Sequence, residues 1–278
     1  MPSKPVRLIM IGDVVGRQGR RFVQALLPLI KVRFQPDVVV ANGENSAGGL
    51  GVIRRTADEL FDAGINVLTG GNHTWDKKEA LELLQTERRV LKPLNFPSAT
   101  PGNGSMVYRT ASGCAVLVVS LQGRVFMEPV VDNPFTAIDG LLAGNAHPVV
   151  LVDFHAEATA EKQAMGFFLD GRVSAVLGTH THVPTSDGRV LEKGTAYQTD
   201  VGMTGALDSI IGMKREPIIR KFCSGMHQKF EVAGGAQVLD MTVVDVDPGS
   251  GRAVRIEAHR YFEETFTQQL NETNLGDK

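Results

Sequence analysis

Little in this 278-residue chain points to covalent cross-links, a membrane or a charged polymer. Two cysteines are too few for a disulfide framework. Cys114, in the apolar run 114–119, and Cys223, in a predicted helix, are read as buried, reduced thiols. One tryptophan and 6% aromatics leave no extended stacking platform for a nucleic acid. Neither sign of charge dominates: 29 Lys and Arg face 31 Asp and Glu. That balance argues against a polybasic nucleic-acid or membrane surface. No apolar stretch approaches the ~18 residues of a membrane span. The first one, residues 6–12, is too short for a signal-peptide core and cleavage site. The expectation is a cytoplasmic protein without a membrane partner.

What the chain does have is 42% hydrophobic residues, enough to fill a core. A domain of this length buries roughly 75% of the surface its unfolded chain exposes. The first half alternates strand and helix patterns. Residues 7–11, 37–41 and 65–69 read as strands; 20–34, 56–63 and 76–84 read as helices. The order β-α-β-α-β-α implies a parallel sheet with helices on its faces. Strands are predicted at 105–109, 115–120, 149–153, 173–177 and 195–199, with helices at 158–168 and 217–222. Residues 236–246 and 252–261 read as a closing hairpin across a Gly-rich turn. The expectation is one α/β domain with a mixed or double sheet, its core about 6–262 and a polar surface tail at 263–278.

Polar residues collect where these strands end. Asp13 follows the first strand, Glu44 and Asn45 the second, and Asn72 and His73 the third. His155 follows the strand at 149–153, and His180 and His182 the one at 173–177. In parallel α/β sheets ligands bind at the carboxyl ends of strands. Taken singly, each has an ordinary explanation. Asp13 could cap a helix, Glu44-Asn45 and Asn72-His73 could be turn residues, and His155 could be a satisfied core histidine. His180-Thr181-His182 is harder to dismiss, because residues i and i+2 of an extended segment point to one side. Together, two carboxylates, amide oxygens and imidazoles suit borderline divalent cations such as Mn, Fe or Zn. Six or seven donors exceed one tetrahedral zinc and suit two adjacent ions, an arrangement used by phosphatases and nucleases.

Gly12-Asp13, Gly71-Asn72-His73 and Gly178-Thr179-His180-Thr181-His182, with His155 between them, resemble the calcineurin-like metallophosphoesterases. The blocks at 12–16, 41–45, 71–76, 153–157 and 200–205 narrow the likeness to the bacterial YmdB-like branch. The resemblance spans about residues 6 to 262. It implies a double-sheet α/β sandwich with α/β/β/α layers, and 2′,3′-cyclic nucleotide phosphodiesterase activity through attack of a metal-bridging hydroxide. It also implies two divalent or trivalent metal ions. Asp13, Glu44, Asn45 and His182 would hold the first; Glu44 would bridge to the second, completed by Asn72, His155 and His180. His73 would face the substrate as the catalytic group. Asp153 and Glu157, flanking His155, are read as capping or supporting hydrogen bonders.

Two departures from the superfamily pattern matter. Its first motif usually reads Asp-x-His, and here position 15 is Val15. Glu44 stands where a bridging Asp is usual, and Asn45 could supply the missing donor. The harder donor set favours Fe or Mn over Zn. The implied partner is a small phosphodiester, with no extended nucleic-acid groove; a homo-oligomer stays open. Alternatives are a phosphomonoesterase or other two-metal hydrolase, or a metal-bound regulatory or RNA-associated protein with little turnover. A dinucleotide fold fits poorly, because Gly12, Gly16 and Gly19 are spaced G-x3-G-x2-G rather than G-x-G-x-x-G.

Overall fold

The computed structural model describes residues 4–265. In chain order the elements are β1 (Val6–Ile11), β2 (Asp13–Val14), α1 (Gly16–Phe34), β3 (Val38–Asn42), α2 (Arg54–Ala63), β4 (Val67–Thr69), α3 (Ala80–Thr86), β5 (Ser105–Arg109), β6 (Ala115–Gln122), α4 (Pro134–Ala143), β7 (Val149–His155), α5 (Thr159–Phe168), β8 (Ala175–Thr179), β9 (Arg189–Val190), β10 (Ala196–Gln198), β11 (Met203–Ala206), α6 (Arg215–Ser224), β12 (Gln237–Val246) and β13 (Ala253–Phe262).

These strands form two sheets. In the first, β1, β3 and β4 run parallel. The long β12 lies antiparallel to β1, shares that edge with β11, and carries β13 on its other edge. In the second, β6, β7, β8 and β10 run parallel, with β5 and β9 antiparallel at the margins. Almost continuous apolar runs build these strands, as sheets covered on both faces require.

Strand alternation then sorts the side chains into layers. Leu8, Met10, Val38 and Val40 of the first sheet meet Val116, Val118, Val149 and Leu151 of the second in a core between the sheets. Their neighbours Ile9, Ile11 and Val39 face outward onto α1, α2 and α3. Val150, Val152 and Phe154 face the opposite way, onto α4 and α5. The result is the expected double-sheet α/β/β/α sandwich. Among the described residues no helix is long and apolar enough to cross a membrane.

Several local expectations shift. α1 starts at Gly16 rather than residue 20, and a Cβ on Gly19 would strike the Thr204 carbonyl, so glycine is needed where helix meets β11. α3 starts at Ala80 because residues 71–76 close two turns first, Thr74 N to Gly71 O and Asp76 N to His73 O. α4 was not foreseen. Its Asn133 cap accepts Phe135 N at 2.9 Å and Pro134 opens the helix, but only Pro134 and Ile138 are buried, so no apolar stripe marks it. The reading of two buried thiols is corrected: Cys114 is half-buried and Cys223 exposed, since α6 buries only Ile218. Of the tail at 263–278, all beyond Thr265 lies outside the described residues.

Candidate metal centre

The carboxyl ends of both sheets open on the same side, and the anticipated residues meet there. Asp13 leaves β1 directly into β2 and is fully buried. Its Oδ1 accepts from Asn45 Nδ2 at 3.3 Å and lies 3.5 Å from His182 Nε2; its Oδ2 accepts the His180 N–H at 3.1 Å. Glu44 sits in the turn after β3, where its N–H bonds Asn42 Oδ1 at 3.2 Å. Glu44 Oε2 accepts the His73 N–H at 3.1 Å. Gly71, after β4, lets this approach happen, because a Cβ there would collide with the His155 ring and come within 2.5 Å of Glu44 Oε2.

His155 is the last residue of β7. Its Nε2 has Glu44 Oε1 at 3.0 Å, Asn72 Oδ1 at 3.1 Å and His180 Nδ1 at 3.1 Å. Glu44, His155 and His180 each offer a donor atom within 4.8 Å of the others.

One expectation about this segment is corrected. β8 ends at Thr179, and His180 and His182 adopt positive φ of 97° and 64° instead of an extended conformation. They do not share a side by strand alternation. The turned backbone sends His180 toward His155 and His182 toward Asp13 and Asn45. Two groups result, Asn72–His155–His180 with Glu44, and Asp13–Asn45–His182.

The outer nitrogens settle which way each ring faces. Thr179 Oγ1 donates to Asp153 Oδ1 at 2.7 Å, so it accepts from His155 Nδ1 at 2.9 Å. His182 Nδ1 donates to the Ile211 carbonyl at 2.9 Å. His180 Nε2 lies 3.3 Å from Glu157 Oε2. Each outer N–H therefore has an acceptor, and each inner nitrogen turns a lone pair into the cluster. Glu44 Oε1 is buried there and, despite His155 Nε2 at 3.0 Å, takes part in no hydrogen bond. The lone pairs of Asn72 Oδ1, His180 Nδ1 and the unpartnered Glu44 Oε1 around His155 Nε2 fit a cation, and the mixture of nitrogen and oxygen donors fits a transition metal; between Asp13 Oδ1 and His182 Nε2 the Asn45 Nδ2 faces inward, 3.3 Å from each. The oxygen donors all follow strands of the first sheet, and the imidazoles all follow strands of the second.

Without a cation, a proton on His155 supplies the charge that the carboxylates require. Burial pulls the His155 pKa down, but Glu44, Asp13 and Asp153 outweigh it and lift it to about 9. Burial, reinforced by His155, drives His180 down to about 3. Burial opposes ionisation of Asp13, yet His182, His155 and the His180 N–H hold its carboxyl below the usual range. Buried carboxylates thus demand positive charge at this point, and one of two touching imidazoles must stay neutral.

His73 stands apart. Its Nδ1 is 2.8 Å from Asp76 Oδ2 and its side chain is about one-third exposed, 34%. Asp153 is the supporting group it was taken for: burial lifts its pKa to about 6 while Thr69, Thr179 and Asn42 donate to it. Sequence reasoning missed Asn42, Thr69 and Thr179, each at the last position of its strand. It also missed the buried pair Lys162–Asp200. Lys162 Nζ donates to Asp200 Oδ2 at 2.6 Å and to Thr179 O at 2.7 Å, and Asp200 Oδ2 accepts Thr181 N–H and Oγ1–H. That pair braces the His180–His182 turn; Asp200 opens the block at 200–205, but nothing in the local sequence marks Lys162 as its partner.

Two facing sheets with a buried carboxylate, amide and imidazole cluster across their carboxyl ends define a metallophosphoesterase-type α/β sandwich. The model of the YmdB-like protein family matches residues 9–259, and the chain belongs to that family. A 2′,3′-cyclic-nucleotide 2′-phosphodiesterase of Bacillus subtilis (strain 168) is 46% identical over 266 residues, covering 93% of this chain and 100% of the relative. A crystal structure of a hypothetical protein from Thermus thermophilus superposes with a TM-score of 0.88 at 46% identity, covering 93% and 100% of the two chains. That of a phosphatase from Mycoplasma pneumoniae gives 0.89 at 35% identity, with 94% and 95% covered.

Proposed function

We propose that this phosphoric ester hydrolase is a dinuclear metal-dependent phosphodiesterase, hydrolysing small phosphodiesters such as 2′,3′-cyclic nucleotides. The observation that carries the reading is the three imidazoles, each tied by its outer nitrogen and turned inward onto buried carboxylates. The activity named for the Bacillus relative supports the substrate class. Asp13, Asn45 and His182 would hold one ion and Asn72, His155 and His180 the other, with Glu44 placed to contribute to both. Oxygen donors from Asp13, Glu44 and Asn72, joined by Asn45 once its amide turns Oδ1 inward in place of Nδ2, favour Mn or Fe over Zn. Both sheets contribute, so the catalytic unit is one domain spanning about residues 6–262.

Bound ions would lower the pKa of water and polarise the phosphoryl oxygens. The chain's own residues do the rest. Thr179, Glu157 and the Ile211 carbonyl fix the imidazoles, so no rearrangement is needed during turnover. His73, held at Nδ1 by Asp76, presents Nε2 at the rim and delivers a proton to the leaving oxygen. Water adds to phosphorus, the P–O ester bond breaks, and a monoester and an alcohol result.

The test strips the protein with a chelator, reloads it with Mn, Fe or Zn, and follows 2′,3′-cyclic AMP beside a phosphomonoester. Restored diester hydrolysis with about two metal equivalents per chain, and loss of both in Glu44→Gln, supports the reading. Chelator-insensitive turnover, or full activity in Glu44→Gln, overturns it. Faster monoester than diester hydrolysis would assign a phosphatase instead.

A further inference from the structure

Beyond the metal cluster, the carboxyl end of β6 carries a second unusual feature. Gln122, its last residue, is in register with His155, and the Gly123 N–H bonds the His155 carbonyl at 2.9 Å. The chain then makes a tight turn, Met127 N to Arg124 O at 3.3 Å. Glu161 of α5 fixes the turn by accepting the N–H groups of Arg124 and Val125 at 3.0 and 3.1 Å. Gln122 Nε2 holds Pro129 O at 3.1 Å, and Asn95 Nδ2 holds Asp132 O at 2.8 Å. Met127 and Val131 are buried beneath it.

This pinned turn presents Phe126 at 88% exposure, higher than any other large hydrophobic residue among those described. Its φ of 62° is rare for an aromatic residue. Beside it, the Arg124 guanidinium has no hydrogen bond or ion pair among the described residues. A cavity of about 430 Å³ adjoins, with Arg124, Val125, Glu161, Val130, Pro134 and Phe135 in its lining. Phe126 is three residue steps from Gly123, a reach of at most about 11 Å. The aromatic ring and free cation are thus tethered beside the backbone of a cluster histidine.

We infer that the Arg124–Phe126 turn recognises the nucleoside part of the ester, Phe126 stacking on the base and Arg124 meeting its phosphate. An immobilised aromatic face and an unpaired guanidinium match a ligand that is flat, apolar on its faces and anionic at one end. Two anchors are backbone–backbone hydrogen bonds, and the side chains of Glu161, Gln122 and Asn95 pin further backbone groups, so exposure here does not mean looseness. The inference rests on the phosphodiesterase reading for its substrate class but not for its test.

Metal-loaded protein is titrated with adenosine 3′-monophosphate and with ribose 3-phosphate, which lacks the base. Phe126→Ala is expected to weaken the nucleotide about tenfold, and the ratio of the two dissociation constants should collapse toward one. Phe126→Trp should restore the ratio. Arg124→Gln should weaken both ligands alike. Because both ligands are measured in the same variant, a general loss of fold or metal cancels. An unchanged ratio in Phe126→Ala overturns the inference, including the case where oligomeric state changes instead and the ring is a contact between copies. Failure of the wild type to turn over any ester would sink the hydrolase reading and leave this titration decisive.

Discussion

Gly71→Ala tests whether the cluster is as tightly closed as its geometry states. Gly71 lies outside the left-handed region, so the backbone accepts alanine and only space is at issue. The added methyl would sit 2.5 Å from Glu44 Oε2 and closer still to the His155 ring edge. Neither neighbour can yield: Glu44 and His155 are fully buried, His155 is tied to Thr179, and Glu44 is held by the His73 N–H. Overpacking of this kind costs about 1–3 kcal/mol. For a chain of this size that is a fall in Tm of ~2–5 °C. Displacing the ring and carboxylate should also cut metal affinity about 10–100-fold, as lost orienting contacts do. Gly140→Ala is the control. Gly140 lies inside α4 with nothing within 4 Å of where the new methyl would sit, so alanine should stabilise the helix by about 0.5–1 kcal/mol. Thermal unfolding and elemental analysis after gel filtration read both effects. Wild-type Tm and metal content in Gly71→Ala would refute the reasoning.

Three further outcomes follow from the same contacts. Lys162→Met strands the Asp200 carboxylate in the interior and should cost about 3–5 kcal/mol in urea unfolding; a loss under 1 kcal/mol, roughly a surface pair's worth, would show that the pair is not buried in solution. Burial, opposed by Arg260 and the Met203 N–H, lifts the Asp240 pKa to about 7. The native state then holds a proton the unfolded chain releases near pH 4, so stability falls as pH rises from about 4 to 7, by at most about 1.4 kcal/mol per pH unit, and is flat above. Asp240→Asn should therefore gain on wild type between pH 5 and 7.5; a constant difference would discount the shift. His73→Ala should keep its metal while losing about 10²–10⁴-fold in rate, whereas loss of metal would make His73 a ligand.

The layers were legible because strand alternation and apolar runs record burial on both faces. Residues 7–11, 37–41 and 149–153 read as interior strands, and the structure places strands at 6–11, 38–42 and 149–155. The cluster was legible because its members follow strand ends. What escaped was set by long-range geometry. His180 and His182 were expected to converge through an extended backbone, and converge through two left-handed residues instead. Thr179 and Asn42 look like ordinary strand residues until Asp153 and Gly70 are placed beside them. β2 and β11 are too short, and β11 too rich in small residues, to leave a periodic signal. α6 was expected, yet its periodicity hid that it buries one residue and leaves Phe222 and Cys223 outside.

The division of donors between the sheets has a further consequence. Oxygen atoms come from one sheet and nitrogen atoms from the other, so an ion held by both would work as a clasp across the sandwich. If the sheets part, the clasp loses half its grip, and the ion binds the closed molecule alone. Each tenfold excess of free metal over its dissociation constant then adds about 1.4 kcal/mol against unfolding. Metal supply would then set lifetime as well as rate, and starvation would leave a chain that is easier to degrade before it is merely inactive.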